Sequence, residues 1–346
     1  MQHARLAAAL GALLLGVATG ACTGSPSASP GGSTTAPSGP TPDPSFAAVV
    51  LDAATLTAYD PSQPLDLREE SPVQDRDGIA VHDVSWTSPL GGRVTAWLVV
   101  PSGSGPFAGL VYLHGSETWR DDFLDEALAM AHGGAVSLVL DAPFARIGEN
   151  KRFALQSYQD PERERTMTAQ AVVDVRRAYD VLEARPDVDP GRLGFVGHSW
   201  GASLGVIVAA VDPRPGSLVL LSGRPSWTGF LRSTSDTRFT RERDRIGVAA
   251  WQRYLDLMAP LDAMAEIAHV DAARLYLQYG TQDDVVPPAV ATQLIDAAAG
   301  AKVGLYPAGH DLDDQATADR VGWLVGRLGL EAISAEVLAT VGLPDR

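Results

Sequence analysis

The sequence predicts an α/β fold, with a mostly parallel sheet of about eight strands, helices on both faces and a cap-like insertion. Three observations predict it. Short apolar runs alternate with segments of helical periodicity from about Val94 to Leu328. The first two strands read as a hairpin, which adds an antiparallel edge. A glycine-flanked serine, in Gly197-His198-Ser199-Trp200-Gly201, stands where a strand gives way to a helix of small residues.

Ile79 to Trp86 alternates apolar and polar residues and reads as a strand. The turn Ser88-Pro89-Leu90-Gly91-Gly92 joins it to a second strand, Val94 to Val100. Leu110–Leu113 and Val136–Leu140 are short buried runs, and Asp122 to His132 between them has helical composition. That strand–helix–strand unit favours parallel pairing. In Thr166–Ala184, Val172, Val175, Tyr179 and Leu182 recur at helical spacing on one face. Pro186 and the turn after it end this helix. Leu193–Val196 is the next strand and Ala202–Ala210 the small-residue helix. Leu218–Leu221, Leu275–Tyr279 and Val303–Tyr306 supply three more strands, and Thr317–Leu328 a last helix. Right-handed crossovers place such helices on both faces. Residues 223–273 interrupt the alternation, with a helical middle from Ile246 to Met258, and read as a cap-like insertion.

The N-terminal residues stand apart from this domain, which is expected to cover 45–346. His3 and Arg5 precede an unbroken apolar or small run, Leu6–Ala18, and then Thr19-Gly20-Ala21-Cys22. This is the layout of a signal peptide, 1–21, and it is too short for a confident membrane span of about 20 residues. Ending in cysteine, it resembles a bacterial lipoprotein signal. That resemblance implies lipidation of Cys22 and an extracytoplasmic, membrane-anchored protein, with simple secretion as the alternative. Thr23–Pro44 is almost wholly Ser, Thr, Pro, Gly and Ala, too polar and small to form a core. As a flexible tether it would span roughly 25 Å.

Cys22 is the only cysteine, so neither an internal disulfide nor a cysteine-based metal site is expected. The 27 basic and 42 acidic residues leave a formal charge of −15. Such a chain should repel nucleic acid and anionic headgroups, but the acidity says little about the substrate, and the expectation of a small-molecule substrate rests on the residues below. Oligomeric state is not legible in the sequence.

The chemistry is carried by Ser199. A serine on a sharp strand-to-helix turn adopts strained backbone angles, and glycines two positions either side let the chain pass its neighbours. The helix N-terminus favours developing negative charge. The N–H of Trp200, directly after the serine, is then one expected oxyanion donor.

Here the chain resembles the α/β-hydrolases, and more narrowly their dienelactone-hydrolase and prolyl-oligopeptidase-like branches. The resemblance runs from about Val94 to Leu328 and includes the approach Pro186-Asp187-Val188-Asp189-Pro190-Gly191-Arg192 into the elbow. It implies a nucleophile, an acid and a histidine in that order. That order excludes His82, His114, His132 and His198, which precede the nucleophile, and His269, which precedes the expected acid. His310, in Pro307-Ala308-Gly309-His310-Asp311, remains as the base. The family's acid comes three residues after a strand-ending glycine, which in Gly280-Thr281-Gln282-Asp283-Asp284 selects Asp283, with Asp284 as the alternative. His114-Gly115-Ser116 matches the family's oxyanion turn and implies Ser116 as the second donor, with Glu117 the alternative.

The resulting expectation is a serine carboxylesterase acting on small or medium acyl esters without metal or organic cofactor. A prolyl-oligopeptidase-like peptidase and a catalytically silent binding lipoprotein are the competing readings. Trp119, Phe144 and Trp227 are candidate pocket residues because all should lie near the carboxyl ends of the strands. Arg146, Lys151 and Arg152, with Phe153, form a basic group that either receives an anionic substrate or is a solvated loop.

Overall fold

Alternating burial along Ile79–Thr87 (β3) and Arg93–Val100 (β4) makes these strands an antiparallel pair with one face toward the core. They lie at one side of a ten-stranded sheet. The structure, a computed structural model, describes residues 51–147 and 157–342. The expected signal, Cys22 and most of the basic group (Lys151, Arg152 and Phe153) lie outside those residues. The described residues belong to the unit Val49–Arg346.

A short helix, Ala53–Leu56 (α1), opens the described chain, followed by two small strands, Arg68–Glu69 (β1) and Gln74–Arg76 (β2), both antiparallel to β3. These two strands raise the total above the expected eight. Their residues are polar and exposed, so they carry no apolar periodicity to find. Phe107–Leu113 (β5), Ala135–Leu140 (β6), Val188–His198 (β7), Pro215–Leu221 (β8), Leu275–Gly280 (β9) and Lys302–Tyr306 (β10) complete the sheet. Its main path runs β1-β3-β4-β6-β5-β7-β8-β9-β10. The β4–β6 pairing is antiparallel, and every pairing from β6 to β10 along that path is parallel.

Leu124–His132 (α2) links β5 to β6, and Pro161–Glu183 (α3) leads into β7. The latter starts five residues before the expected Thr166. Asp160 caps it by accepting from the Arg163 N–H, and Pro161 takes a first-turn position where no donor is missed. Trp200–Val211 (α4) follows β7 directly. The segment after β8 is helical throughout, with Trp227–Ser233 (α5), Thr237–Ile246 (α6), Val248–Met258 (α7) and Ala263–Glu266 (α8). Gly247, at φ 86°, breaks α6 from α7. Pro288–Ala297 (α9), Asp314–Leu328 (α10) and Ala335–Leu338 (α11) finish the chain.

The core follows from the sheet's two apolar faces. Val172, Val175, Tyr179 and Leu182 of α3 pack with α4 and residues such as Phe195 and Leu220 on one face. Met130 of α2 and Leu324 of α10 pack with Tyr112 and Val196 on the other. A separate cluster, Trp251, Tyr254, Leu255 and Met258 with Tyr158, fills the helical segment. The parallel strands end together on the side where β7 meets α4, which places that junction in the crevice at their carboxyl ends.

Candidate active site

Ser199 stands alone between β7 and α4 with φ 51° and ψ −111°. A non-glycine residue there stores strain on the order of 1–3 kcal/mol. The turn is held by neighbours on both sides. The Ser199 N–H donates to the Leu221 carbonyl at 2.8 Å, and the Ser203 N–H to the Ser199 carbonyl at 3.0 Å. The flanking glycines are required by close approach. A β-carbon on Gly201 would collide with the carbonyl oxygens of Leu113 and His114, and one on Gly197 would meet the backbone of Gly201 at 2.7 Å.

His310 lies in the loop between β10 and α10. Its Nε2 is 2.8 Å from Ser199 Oγ, and its Nδ1 is 2.8 Å from Asp283 Oδ2. A carboxylate at Nδ1 selects the tautomer protonated there, leaving the Nε2 lone pair facing the serine hydroxyl. The other oxygen of Asp283 accepts from the N–H groups of Val285 and Val286, each at 2.8 Å. Burial works against this charge, but the hydrogen bonds from His310 and these two N–H groups outweigh it. They hold the carboxyl below its ordinary value. Asp284 is exposed and stands in the wall of the adjoining cavity. The structure therefore brings Asp283 to the imidazole and leaves Asp284 outside that pair.

Behind the imidazole, the main-chain carbonyl of His310 accepts from Ser222 Oγ at 2.7 Å and faces His198 Nε2 at 3.3 Å. Burial, and then the neighbouring His310, push the His198 pKa down to about 3, so its ring is neutral.

The other candidate donors come from two loops. His114 Nδ1–H donates to the Gly115 carbonyl at 2.6 Å, and its Nε2 accepts from the Ala142 N–H at 2.9 Å. Burial pushes this ring down to about 4, which fits the neutral tautomer that both bonds need. His114 thus pins the turn that carries Ser116. Ser116, Glu117 and Trp200 all line the cavity beside Ser199.

The cavity has a volume of about 500 Å³ and is walled largely by the helical segment after β8. Of the three expected pocket aromatics, only Trp227 reaches its wall. Phe144 is buried because it packs edge-on between the rings of Trp200, at 5.0 Å, and His114, at 5.8 Å. It supports the site from beneath. Trp119 is 56% exposed, just before a short 3₁₀ turn, and lies outside the wall. Arg146 is buried and paired with Asp174 at 2.5 Å, so it does not offer a solvated cation.

Phe230, which with Trp227 begins the insertion where the sequence allows pocket aromatics, joins it and Phe239 in a cluster with ring centroids 5.2–5.6 Å apart. Sequence reasoning missed Phe239 and several other wall residues. Buried Asp262 ties down the start of α5 by accepting from Ser226 Oγ at 2.7 Å and the Trp227 N–H at 2.8 Å. Arg224 and Glu164 also face the cavity. No motif marks these positions: Glu164 sits in the first turn of α3, and the others come from the segment after β8 whose helices pack on each other. Among the described residues, no group of three or more His, Cys, Asp or Glu side chains is arranged to hold a metal ion.

Comparison with known proteins places this geometry in context. The family model described as acetyl xylan esterase (AXE1) matches residues 62–234. That span contains Ser116, Ser199 and Trp200 and stops before Asp283 and His310. An acetyl xylan esterase from Paenibacillus sp. R4 superposes with a TM-score of 0.65 at 21% identity, over 80% of this chain and 92% of that one. Acetyl xylan esterase 1 from Thermoanaerobacterium sp. JW/SL YS485 gives 0.60 at 17% identity, over 76% and 88%. A cold-adapted esterase from an Arctic intertidal metagenomic library gives 0.55 at 16%, over 75% and 99%. These structures share the α/β-hydrolase fold with the chain.

Proposed function

The chain belongs to the acetyl xylan esterase (AXE1) family, and we propose that it removes acetyl groups from a hydroxyl-rich alcohol such as an acetylated carbohydrate. It is a serine carboxylesterase, and neither the peptidase reading nor the silent binding reading is favoured by that membership. The observation that carries the proposed mechanism is the pair of 2.8 Å hydrogen bonds at His310, one to Ser199 Oγ and one to Asp283.

In this mechanism Ser199 Oγ attacks the acetyl carbonyl carbon while His310 Nε2 takes the hydroxyl proton. Asp283 stabilises the imidazolium that forms and fixes its orientation. The N–H groups of Trp200 and Ser116 receive the oxyanion, a contribution worth about 10²–10³ in rate per donor. Collapse of the tetrahedral intermediate breaks the ester C–O bond. His310 returns its proton to the leaving alcohol, and an acetyl group remains on Ser199. A water then gives its proton to His310 and attacks the acetyl carbon, releasing acetate and restoring the serine. The helical segment 223–273 acts as a cap. Trp227, Phe230 and Phe239 line its side of the cavity and offer apolar faces suited to the C–H face of a sugar ring.

Upstream, the proposal is a lipid on Cys22 and a tether from 22 to 44 that holds the domain outside the cytoplasm. Among the described residues no helix is long and apolar enough to cross a membrane. Labelling with a palmitate analogue tests the anchor, which predicts that Cys22→Ser loses the label and leaves the membrane fraction.

The catalytic proposal is tested with Ser199→Ala. The native enzyme should release acetate from acetylated xylan and from p-nitrophenyl acetate, cleave p-nitrophenyl esters of long acyl chains far more slowly, and spare peptide amides. It should also take up a fluorophosphonate probe. The variant should lose labelling and all but residual turnover. Full esterase activity in Ser199→Ala would sink the mechanism.

A further inference from the structure

Two arginines line the cavity, and they differ in one respect. Arg238 is exposed and paired with Asp236 at 2.6 Å. Arg224 is half-buried, and no described carboxylate lies within ion-pair distance of it. One of its nitrogens, Nη2, donates to the Val285 carbonyl at 2.5 Å. Its guanidinium carbon sits 4.1 Å from the centroid of the Phe230 ring. Among the described residues no acceptor engages Nε or Nη1 of this five-donor group.

The position is set by the nucleophile's own helix. Ser203, in the first turn of α4, accepts from the Arg224 N–H at 2.9 Å and donates to the Arg224 carbonyl at 3.0 Å. The same Ser203 bonds back to Ser199 through its N–H. Arg224 is therefore tied within one helical turn of the reacting hydroxyl. Burial works against its charge, and the field of Asp283, whose carboxylate is already bonded to His310 and to two backbone N–H groups, offsets this only in part, so holding the cation without an ion-pair partner is costly. The other acids of the wall do not supply that counter-ion. Glu117 and Asp284 are exposed, Asp262 is committed to the start of α5, and Glu164 accepts from Tyr254 Oη at 2.8 Å.

We propose that Arg224 is a specificity residue that binds a carboxylate on the alcohol portion of the substrate. The preferred ester is then an acetylated acidic alcohol, such as an acid-bearing carbohydrate. The charge belongs on the alcohol side because acetyl has no room for one, so this inference rests on the acetyl reading above. Phe230 holds the guanidinium plane by stacking, and Val285 fixes one corner. The donors left over form a fork that matches a carboxylate. No bond is made or broken at Arg224.

The test compares 4-acetoxybenzoate with its methyl ester, which has the same acetyl group and the same ring but no charge. In Arg224→Gln, kcat/KM for 4-acetoxybenzoate should fall about 10–100-fold further than for the methyl ester, mostly through KM. Arg224→Lys should recover part of that difference. In the unaltered enzyme, 4-hydroxybenzoate should inhibit more strongly than methyl 4-hydroxybenzoate, by a margin that shrinks as salt rises. This last measurement needs no variant and stands if Arg224→Gln does not fold. Equal losses for both esters would assign Arg224 to holding the Val285 loop and overturn the proposal. So would equal inhibition by the two phenols. Hydrolysis of neither ester by the native enzyme would overturn the acetyl reading itself.

Discussion

Ser222 Oγ donates a 2.7 Å hydrogen bond to the main-chain carbonyl oxygen of His310. Ser222 is fully buried at the end of β8, at φ 52°, and its own N–H donates to the Gln278 carbonyl of β9 at 2.8 Å. The loop that carries the proposed base is thereby fastened to two neighbouring strands. Removing the hydroxyl leaves the carbonyl with only the longer His198 contact. Ser222→Ala should lower kcat several-fold with little change in KM, and cost about 1 kcal/mol of stability. Steady-state kinetics on p-nitrophenyl acetate and a urea titration check both parts. A fall in stability with kcat unchanged would show that the bond holds the fold and not the base.

The two adjacent aspartates should behave unequally. Asp283 accepts from His310 and from two backbone N–H groups, whereas Asp284 is exposed at the cavity wall. Asp283→Asn keeps the shape but removes the charge and permits the wrong imidazole tautomer, so kcat should drop on the order of 10³–10⁴. Asp284→Asn should cost no more than about fivefold, the scale of losing a screened surface charge. Comparable losses in the two variants would reassign the acid.

Much of this was legible in the sequence, and the reasons are local. The elbow at Ser199 announces itself because close backbone approach demands glycine at 197 and 201. The parallel strands announce themselves because burial on both faces makes them continuous apolar runs, as in Phe107–Leu113 and Leu275–Gly280. The register of the resemblance, three residues after Gly280, already favoured Asp283 over Asp284, and in the structure it is the Asp283 carboxylate that faces the imidazole. The cap side was not legible. Phe239 and Arg224 belong to the cavity through tertiary packing around α5 and α6, and α6 has no buried residue to betray its orientation. Phe144 and Trp119 illustrate the converse. Both follow a strand at its carboxyl end, yet one is drawn under Trp200 by ring packing and the other stays in solvent.

Gly201 should tolerate no side chain. The β-carbon of Gly201→Ala would overlap carbonyl oxygens on β5 and on the turn that carries Ser116. Backbone cannot swing aside as a side chain can, so strand and helix must separate. Overpacking of this kind costs about 3 kcal/mol, which corresponds to a Tm lowered by roughly 6–12 °C for a domain of this size. Calorimetry checks the shift. An unchanged Tm would mean that α4 is free to move away from β5.

Acid should destabilise the fold through its buried histidines. Burial, joined at His198 by the neighbouring His310, pushes His198 down to about 3 and His114 down to about 4 from an ordinary 6.5. As pH falls through 6.5, the unfolded chain takes up protons at these sites while the folded chain does not. Their contribution is therefore complete above about 6.5 and is lost as pH falls toward 4 and then 3. Each site changes stability by up to about 1.4 kcal/mol per pH unit within that window. Asp283, whose carboxyl is held below its ordinary value, adds a loss of the same sign at the acid end. The urea midpoint should accordingly decline between pH 7 and pH 5.5, a range in which ordinary carboxylates have barely begun to protonate. His198→Gln removes one titrating site and keeps an amide donor for the His310 carbonyl, so its midpoint should decline less steeply. A midpoint flat across that range, or an identical slope in the variant, would show that His198 is not held neutral by its burial.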